Sequence, residues 1–275
     1  MAHVTQLISV ITAAHPPTIP FLHEAYDSLG RQALPPGWDW QWVVQEDGQT
    51  GQVAAALPDD PRISAGSSRK GGPGVARTMA LARAAGSLVK VLDADDQLLA
   101  GTLARDITVL TEHPDVGWTT SKALDLLPDG STVAWDQDDP PEGRLESRDV
   151  FAYWLDHDHR AQVLPSTLCI RRDLLLAVGG WMALPASEDT GMLLAASVLS
   201  TGYFVAEDGL LYRKWPGQST AQAAHVDPAE RGDRMTLIEH RVRALQRALD
   251  RSVTDADHSS SPGPPRAHLP PRDHG

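Results

Sequence analysis

VKVLDADDQL, residues 89–98, sets an apolar run directly against three carboxylates, Asp93, Asp95 and Asp96. The run has the length and composition of a buried strand closed by a polar turn. Carboxylates two positions apart on an extended chain are about 6.5 Å from each other. At an effective dielectric near 20, each close pair costs about 2–3 kcal/mol. Such a cluster must be solvated, take up protons, fan apart or hold a cation. Carboxylate oxygens are hard ligands suited to Mg2+ or Mn2+, ions that often bridge to substrate phosphates. The plain alternative is a polar turn, where Asp is common, and the surrounding chain has to decide.

Working outward, LISVITAAH (7–15) predicts a buried first strand with its exit loop, and WQWVVQEDGQT (40–50) a second strand closing on Asp47-Gly48. Apolar spacing predicts helices over 19–32, 74–85 and 98–114, with VGWTTSKALDLL (116–127) returning as a strand. Strands alternating with helices at this spacing indicate βαβ units and a mostly parallel sheet. Residues 128–145 are turn-rich and acidic and read as a hairpin tip or loop. Beyond them the pattern predicts a helix near 147–156 and a strand and short helix ending at Gly179-Gly180. A helix over 187–201, a strand–turn–strand over 203–215 and a charged amphipathic helix over 228–249 follow. From about 251 the chain is rich in Pro and Ser with almost no apolar residues, the composition of a disordered tail. The expected organisation is one α/β domain over 1–250 and a tail over 251–275. In an open α/β sheet ligands bind at the carboxyl ends of the strands. His15, Asp47 and the Asp93–Asp96 turn all fall at such ends, which favours a functional reading of the acidic trio.

Composition narrows the classes. A 275-residue chain that is 41% hydrophobic and 22% charged can bury a sizeable core. A formal charge of −12 argues against a nucleic-acid groove, which needs a basic face. The single cysteine, Cys169, excludes an internal disulfide and a cysteine-based zinc site. MAHVTQLISVITAAH lacks a basic leader region, and no apolar stretch reaches the length of a membrane span. The expectation is a cytoplasmic protein without integral membrane contact; an oligomeric state is left open.

In order along the chain, these segments resemble the inverting, nucleotide-sugar-dependent glycosyltransferases of family 2, which have the GT-A fold. ISVITAAH (8–15) resembles that family's first strand, SLGRQ (28–32) its Ser-Leu-x-x-Gln, and WVVQEDGQT (42–50) the strand ending in Asp-Asp-Gly-Ser. GGPGVARTMALARAAG (71–86) resembles Gly-x-x-x-Ala-Arg-Asn-x-Gly-x-x-x-Ala-x-Gly, and VLDADDQL the Asp-x-Asp strand. RRDLLLAVGGW (171–181) resembles Arg-Arg followed by Gly-Gly-Phe, and SED (187–189) the Glu-Asp ahead of the acceptor-side helix. The likeness spans roughly residues 5–220. The chain departs from the pattern at Ala13, Ala14 and His15 in place of a polar tail, at Glu46 for Asp, and at Thr78 for Asn. It departs again at Trp215, near the usual His of Tyr-Arg-x-His-x-x-Ser.

The resemblance implies a Rossmann-like, mostly parallel sheet flanked by helices, with a C-terminal helix. It also implies transfer of a sugar from a nucleoside-diphosphate donor, UDP ahead of GDP or dTDP, with Mn2+ or Mg2+. The acceptor would be a soluble small molecule or saccharide offering a hydroxyl or amine. Asp95 would be the direct metal ligand, with Asp93 a second ligand or a ribose contact and His225 a further ligand from a C-terminal loop or a surface residue. Ala13, His15 and Asp47 would lie at the base, Lys70 and Arg77 at the diphosphate, and Asp96 and Arg213 also on the donor side. Arg77 reads equally as a structural salt bridge. Asp189, with Glu188 beside it, would supply the base that activates the acceptor, although acidic residues in a first helical turn are also stabilised by the macrodipole alone. Trp181 and Trp215 lie near site motifs, where a ring could stack on a sugar. DHDHR (156–160) reads as a solvated loop, because consecutive residues point in different directions. A non-catalytic nucleotide-sugar-binding protein on the same scaffold is the competing reading.

Overall fold

A computed structural model of the chain describes residues 5–135, 138–218 and 227–259, the last seven by backbone alone. The strands are β1 (Gln6–Ala14), β2 (Trp38–Asp47), β3 (Ile63–Ser68), β4 (Leu88–Val91), β5 (Gln97–Leu98), β6 (Val116–Leu126), β7 (Thr132–Ala134), β8 (Gly143–Leu145), β9 (Cys169–Arg171) and β10 (Thr201–Arg213). They form one sheet in the order β3-β2-β1-β4-β9-β6-β10-β5, with β7 on β6 and β8 on β10. The long pairings, β1 with β2, β1 with β4, β2 with β3 and β6 with β10, are parallel. The antiparallel ones involve only two or three residues each. This is the Rossmann-like α/β arrangement expected from the sequence.

Helices α1 (Leu22–Gly30), α2 (Gln52–Ala56), α3 (Pro73–Ala80), α4 (Thr102–Glu112), α5 (Asp149–Asp156), α6 (Arg172–Ala177), α7 (Glu188–Leu199) and α8 (Pro228–Ser259) cover the two faces. Alternation along the strands divides the core. Ile8 and Val10 of β1, Trp42 and Val44 of β2 and Leu88 of β4 pack with Leu22, Leu29, Leu103 and Ile107 of α1 and α4. Ile11, Val43, Val89 and Val91 pack on the other side with Trp154, Met192, Leu193 and Ile238. β4 is buried along its whole length, so Lys90 needs a partner. Its ammonium meets Asp106 Oδ2 at 2.7 Å and the Thr167 carbonyl at 2.6 Å, and Thr119 donates to the other Asp106 oxygen.

Three expectations change and one is extended. β3 and α2 occupy a stretch whose polar, small-residue composition gives little periodic signal. The strand–turn–strand expected at 203–215 is instead one strand, β10, whose register shifts around Asp208 absorb the AEDG segment that reads as a turn. A local irregularity of this kind bends a strand without ending it. The 128–145 segment, read as a hairpin tip or loop, does form a hairpin, with β7 antiparallel on β6, and beyond that reading adds β8 on β10. Helix α8 runs to Ser259, past the expected start of the tail at 251; residues 260–275 lie outside the described residues. Among those described, no helix is long and apolar enough to cross a membrane.

Candidate active site

β1, β2 and β4 are parallel, so their carboxyl ends open on one edge of the sheet. A cleft of about 260 Å3 lies there. Nine residues singled out from sequence line it: Ala13, His15, Asp47, Lys70, Arg77, Asp93, Asp95, Glu188 and Asp189. Asp96 and Arg213 do not line it, and His225 lies outside the described residues.

The acidic turn is fixed from behind. Thr12 donates to the Leu92 carbonyl at 2.7 Å and accepts from the Trp42 indole at 2.8 Å, tying β4 to β1 and β2. Asp96 N–H then closes the turn on the Asp93 carbonyl. The three carboxylates fan apart, each in its own environment. Asp93 takes an ion pair from Arg77. Asp95 Oδ2 accepts the Trp215 indole N–H at 2.6 Å. Burial, and next the Asp93 charge, hold Asp95 above the usual carboxylate range. Asp96 is 2% exposed; one oxygen accepts the Arg213 backbone N–H at 2.9 Å and the other is buried with no partner. Burial and the charges of Asp93 and Asp95 push its pKa well up. Asp96 therefore anchors β10 to the turn and does not face the cleft, contrary to its expected place on the donor side. Arg213 is likewise a positioning residue: it bonds the Asp95 carbonyl at 2.7 Å and Glu24 at 2.6 Å and lies over the Phe21 ring.

Arg77 sits at the centre of the cleft floor with 7% of its side chain exposed. Its fork spans Asp93 on one side and Glu188 Oε1, at 2.8 Å, on the other. Burial disfavours the cation, but the carboxylates around it outweigh that and raise its pKa. The structural salt bridge and the lining position thus hold together. Gly74 permits this pairing: a Cβ there would come within 2.6 Å of the Met182 carbonyl and 2.7 Å of Glu188. α3 can therefore lie against the start of α7. Thr78 exchanges hydrogen bonds with the Trp181 backbone, 3.0 and 3.2 Å, and locks the same contact.

The loop ahead of α3 departs from expectation. Backbone N–H groups of Gly71 and Gly72 look free, from sequence, to meet an anion. In the fold both donate to Asp47, at 2.7 and 3.1 Å. Asp47 is thereby a loop clamp that also lines the cleft. Glu46 points away: burial would raise its pKa, but hydrogen bonds from Thr50 and Gly51 outweigh it and leave the carboxylate below its usual range. His15 lines the cleft with its pKa lowered by burial, so it is neutral at pH 7.

Across the cleft, α7 begins with Ser187 at φ 60°, a left-handed conformation uncommon for a residue with a side chain. The turn sets Glu188 inward onto Arg77. Burial, and next the Asp189 charge, raise the Glu188 pKa to about 7. Asp189 lines the cleft, with one oxygen accepting the Thr190 N–H at 2.6 Å. Trp215 lines the cleft too, whereas Trp181 is 4% exposed and packs in the core, so it offers no face to a sugar. Sequence reasoning misses Thr18, Ser166, Pro185, Tyr212 and Gln218, which also line the cleft. Ser187, the first residue of the SED segment, lines the cleft as well, in a backbone conformation that the segment alone does not reveal.

Asp93 and Asp95 suit a hard divalent cation in chemistry: two carboxylates from one turn, each committed through one oxygen. Among the described residues no three His, Cys, Asp or Glu side chains gather as a ready metal cage. Any ion held here would draw the rest of its shell from water and ligand.

Residues 9–123 match the profile of Glycosyl transferase family 2. No curated protein matches by sequence. Among solved structures, S. aureus TarS 1–349 in complex with UDP-GlcNAc aligns with a TM-score of 0.67 at 21% identity, over 85% of this chain and 66% of that one. The same fragment in complex with UDP aligns with a TM-score of 0.59 at 21% identity, over 76% and 61% of the two chains. Against a longer S. aureus TarS chain the TM-score is 0.59 at 20% identity, over 76% of this chain and 37% of that one. The chain therefore spans two thirds or less of the TarS chains it resembles, and the resemblance at this identity is one of fold. Residues 9–123 thus resemble glycosyl transferase family 2, and the chain shares the GT-A fold of the TarS structures.

Proposed function

We propose that the chain is a metal-assisted, inverting glycosyltransferase that moves a sugar from a nucleoside-diphosphate donor to a hydroxyl or amine of a soluble acceptor. The observation that carries this reading is the single guanidinium of Arg77 joining two acidic groups on one cleft, the Asp93–Asp95 turn and the start of α7. Asp95, with Asp93, would hold Mg2+ or Mn2+. When bound, the ion would offset the charge that builds on the departing nucleoside diphosphate.

The chain's own residues do the rest. Asp189 accepts the proton of the acceptor hydroxyl as that oxygen bonds to the anomeric carbon. The bond from that carbon to the phosphate oxygen breaks on the opposite side, and its electron pair leaves with the diphosphate. Glu188, buried against Arg77, holds the guanidinium in place and leaves Asp189 as the carboxylate facing the acceptor. His15 and Lys70 line the donor end with Asp47. Asp47 also fixes the Gly71-Gly72 loop, so base contact and loop placement are coupled. UDP is the favoured nucleotide, supported by the UDP-GlcNAc and UDP complexes of the TarS fold neighbour. The chain would work in the cytoplasm on a small-molecule or saccharide acceptor.

The test is a panel of UDP-, GDP- and dTDP-sugars read by thermal shift with Mn2+ and with EDTA. A ligand at about 100 times its Kd stabilises the native state by about 2.7 kcal/mol. One UDP-sugar should raise the melting temperature only with Mn2+, and UDP should be released on adding acceptor. Binding with no release, across a broad acceptor set, would favour the non-catalytic binder.

A further inference from the structure

The aromatic surface of the cleft continues past its lining. Gln218 accepts the Trp215 backbone N–H at 3.2 Å and sets its own amide nitrogen 3.4 Å from Tyr212 Oη, which ties together two rings that line the cleft. Outside the lining, the Trp135 ring stands edge-on to Tyr212, with centroids 5.2 Å apart and planes at 85°. Trp135 directly follows β7, which folds back on β6, and Val133 in that strand is 51% exposed, so the hairpin faces water. Trp215, Tyr212 and Trp135 thus form an aromatic row that leads out of the cleft.

The outer two rings have a polar frame. Tyr212 and Lys214 are two positions apart on β10 and share a face. Lys214 Nζ lies 4.5 Å from the Tyr212 centroid and 4.4 Å from that of Trp135. Asp125, the register partner of Tyr212 on β6, brings Oδ1 to 3.1 Å from the same ammonium. The Lys214 and Asp125 side chains keep 31% and 24% of their surface exposed, so a ligand can reach both. An ammonium offers three donors and a carboxylate only acceptors. Ring faces beside a donor and an acceptor match one chemistry well. A sugar ring has C–H bonds on its faces, which the negative face of an aromatic ring attracts, and hydroxyls around its rim. A hydrocarbon chain would instead cover the Lys214–Asp125 pair and remove it from water at a cost.

We propose that Trp135 and Tyr212, framed by Lys214 and Asp125, form a subsite for a second sugar ring of the acceptor, so that the acceptor is a saccharide of at least two units. This rests on the glycosyltransferase reading above and names the acceptor class within it. The ring that receives the transferred sugar lies in the cleft, and the next ring lies on Tyr212 and Trp135.

The test is isothermal titration of the full chain, with UDP and Mn2+ present, against gluco-, manno- and N-acetylglucosamine-based saccharides of one to four units. In one series the affinity should rise at least tenfold from one unit to two. Trp135→Ala should reduce that gain to less than twofold, and Trp135→Phe, which keeps a ring, should retain at least threefold. Lys214→Met keeps an apolar stem against both rings and removes the donor; the gain should fall about threefold. Circular dichroism establishes that each variant is folded, and the Lys214 variant tests the subsite even if the Trp135 variants do not fold. If the gain survives in full in every folded variant, the second ring binds elsewhere and the subsite is wrong. If UDP binds but no series gains affinity from a second unit, the acceptor class is wrong and the glycosyltransferase reading stands. If neither UDP, GDP nor dTDP binds, that reading fails and this inference with it.

Discussion

Two acidic pairs face each other across the cleft, and the chain treats them alike. At the end of β4, Asp93 is tied to Arg77 while Asp95 lines the cleft in a hydrogen bond from Trp215. At the start of α7, Glu188 is tied to the same Arg77 while Asp189 lines the cleft. In each pair one carboxyl group meets a shared buried guanidinium, and its neighbour lines the cleft. The pairs differ in how they are held. The β4 pair follows a fully buried strand, clamped by Thr12, Trp42 and Arg213. The α7 pair depends on Ser187 at positive φ and on Gly74 allowing two helices to touch. Acidity places neither pair; the surrounding packing does.

The largest effect should come from removing what the pairs share. Arg77→Met leaves Asp93 and Glu188 without their cation, and breaking a buried pair in this way costs about 3–5 kcal/mol. For a chain of this length that is a fall of about 10 °C in melting temperature. Transfer should be lost at the same time. A variant that melts near the unaltered chain would show that the two pairs are not coupled through Arg77.

The next break separates the two members of the α7 pair. Asp189→Asn should lower kcat by about 10²–10⁴-fold, the range for a lost general base, with donor affinity unchanged. Glu188→Gln should lower it by less than about tenfold, because the amide still accepts from Arg77. Steady-state rates against acceptor, with donor affinity measured separately, decide this, and a reversed order would exchange the two roles.

A smaller effect sharpens the contrast through pH. Glu188 is held up to about 7 in the folded chain against a usual value of 4.5. The folded state thus keeps a proton that the unfolded state releases between those values. Its stabilising contribution is full below about pH 4.5 and is lost as the pH rises to about 7. At 1.36 kcal/mol per pKa unit, this is at most about 3 kcal/mol. Urea midpoints at pH 5 and pH 7.5 should fall more for the unaltered chain than for Glu188→Gln. Equal slopes would mean that Glu188 does not hold the proton.

The smallest effect is expected at Asp96. Burial favours its uncharged form, which resembles an amide, and Asp96→Asn keeps the acceptor for the Arg213 N–H. Stability should change by less than about 1 kcal/mol, a range typical of substitutions that preserve a hydrogen bond. A loss several times larger, read from urea midpoints, would mean that Asp96 is ionised.

The β4 side was more legible in the sequence than the α7 side, and for a physical reason. Strands β1, β2 and β4 end in contiguous polar residues, so strand periodicity alone brings His15, Asp47 and Asp93–Asp95 to one edge. The Glu188-Asp189 pair stands out as a motif, but nothing local reveals that Glu188 turns inward to Arg77, a residue 111 positions away. Asp96 and Arg213 looked like donor contacts because they belong to acidic and basic motifs. Only the pairing of β10 with β5 and the buried turn shows them bracing the fold from behind. Asp47 seemed free to bind a base because the loop that reaches back to it, Gly71-Gly72, lies 24 residues on. β3 and α2 went unread because ISAGSS and QVAAA carry too few large apolar residues to show a period.

The central claim is that the Asp93–Asp95 turn, and no other acidic group of the chain, receives a cation carrying a nucleoside diphosphate. A crystal grown with UDP and Mn2+, with anomalous data collected at the manganese edge, tests it most directly. The account predicts one manganese peak within coordination distance of an Asp95 oxygen and in contact with the UDP diphosphate. UDP bound in the cleft with no manganese at Asp95, or manganese seated at another acidic group, would contradict it.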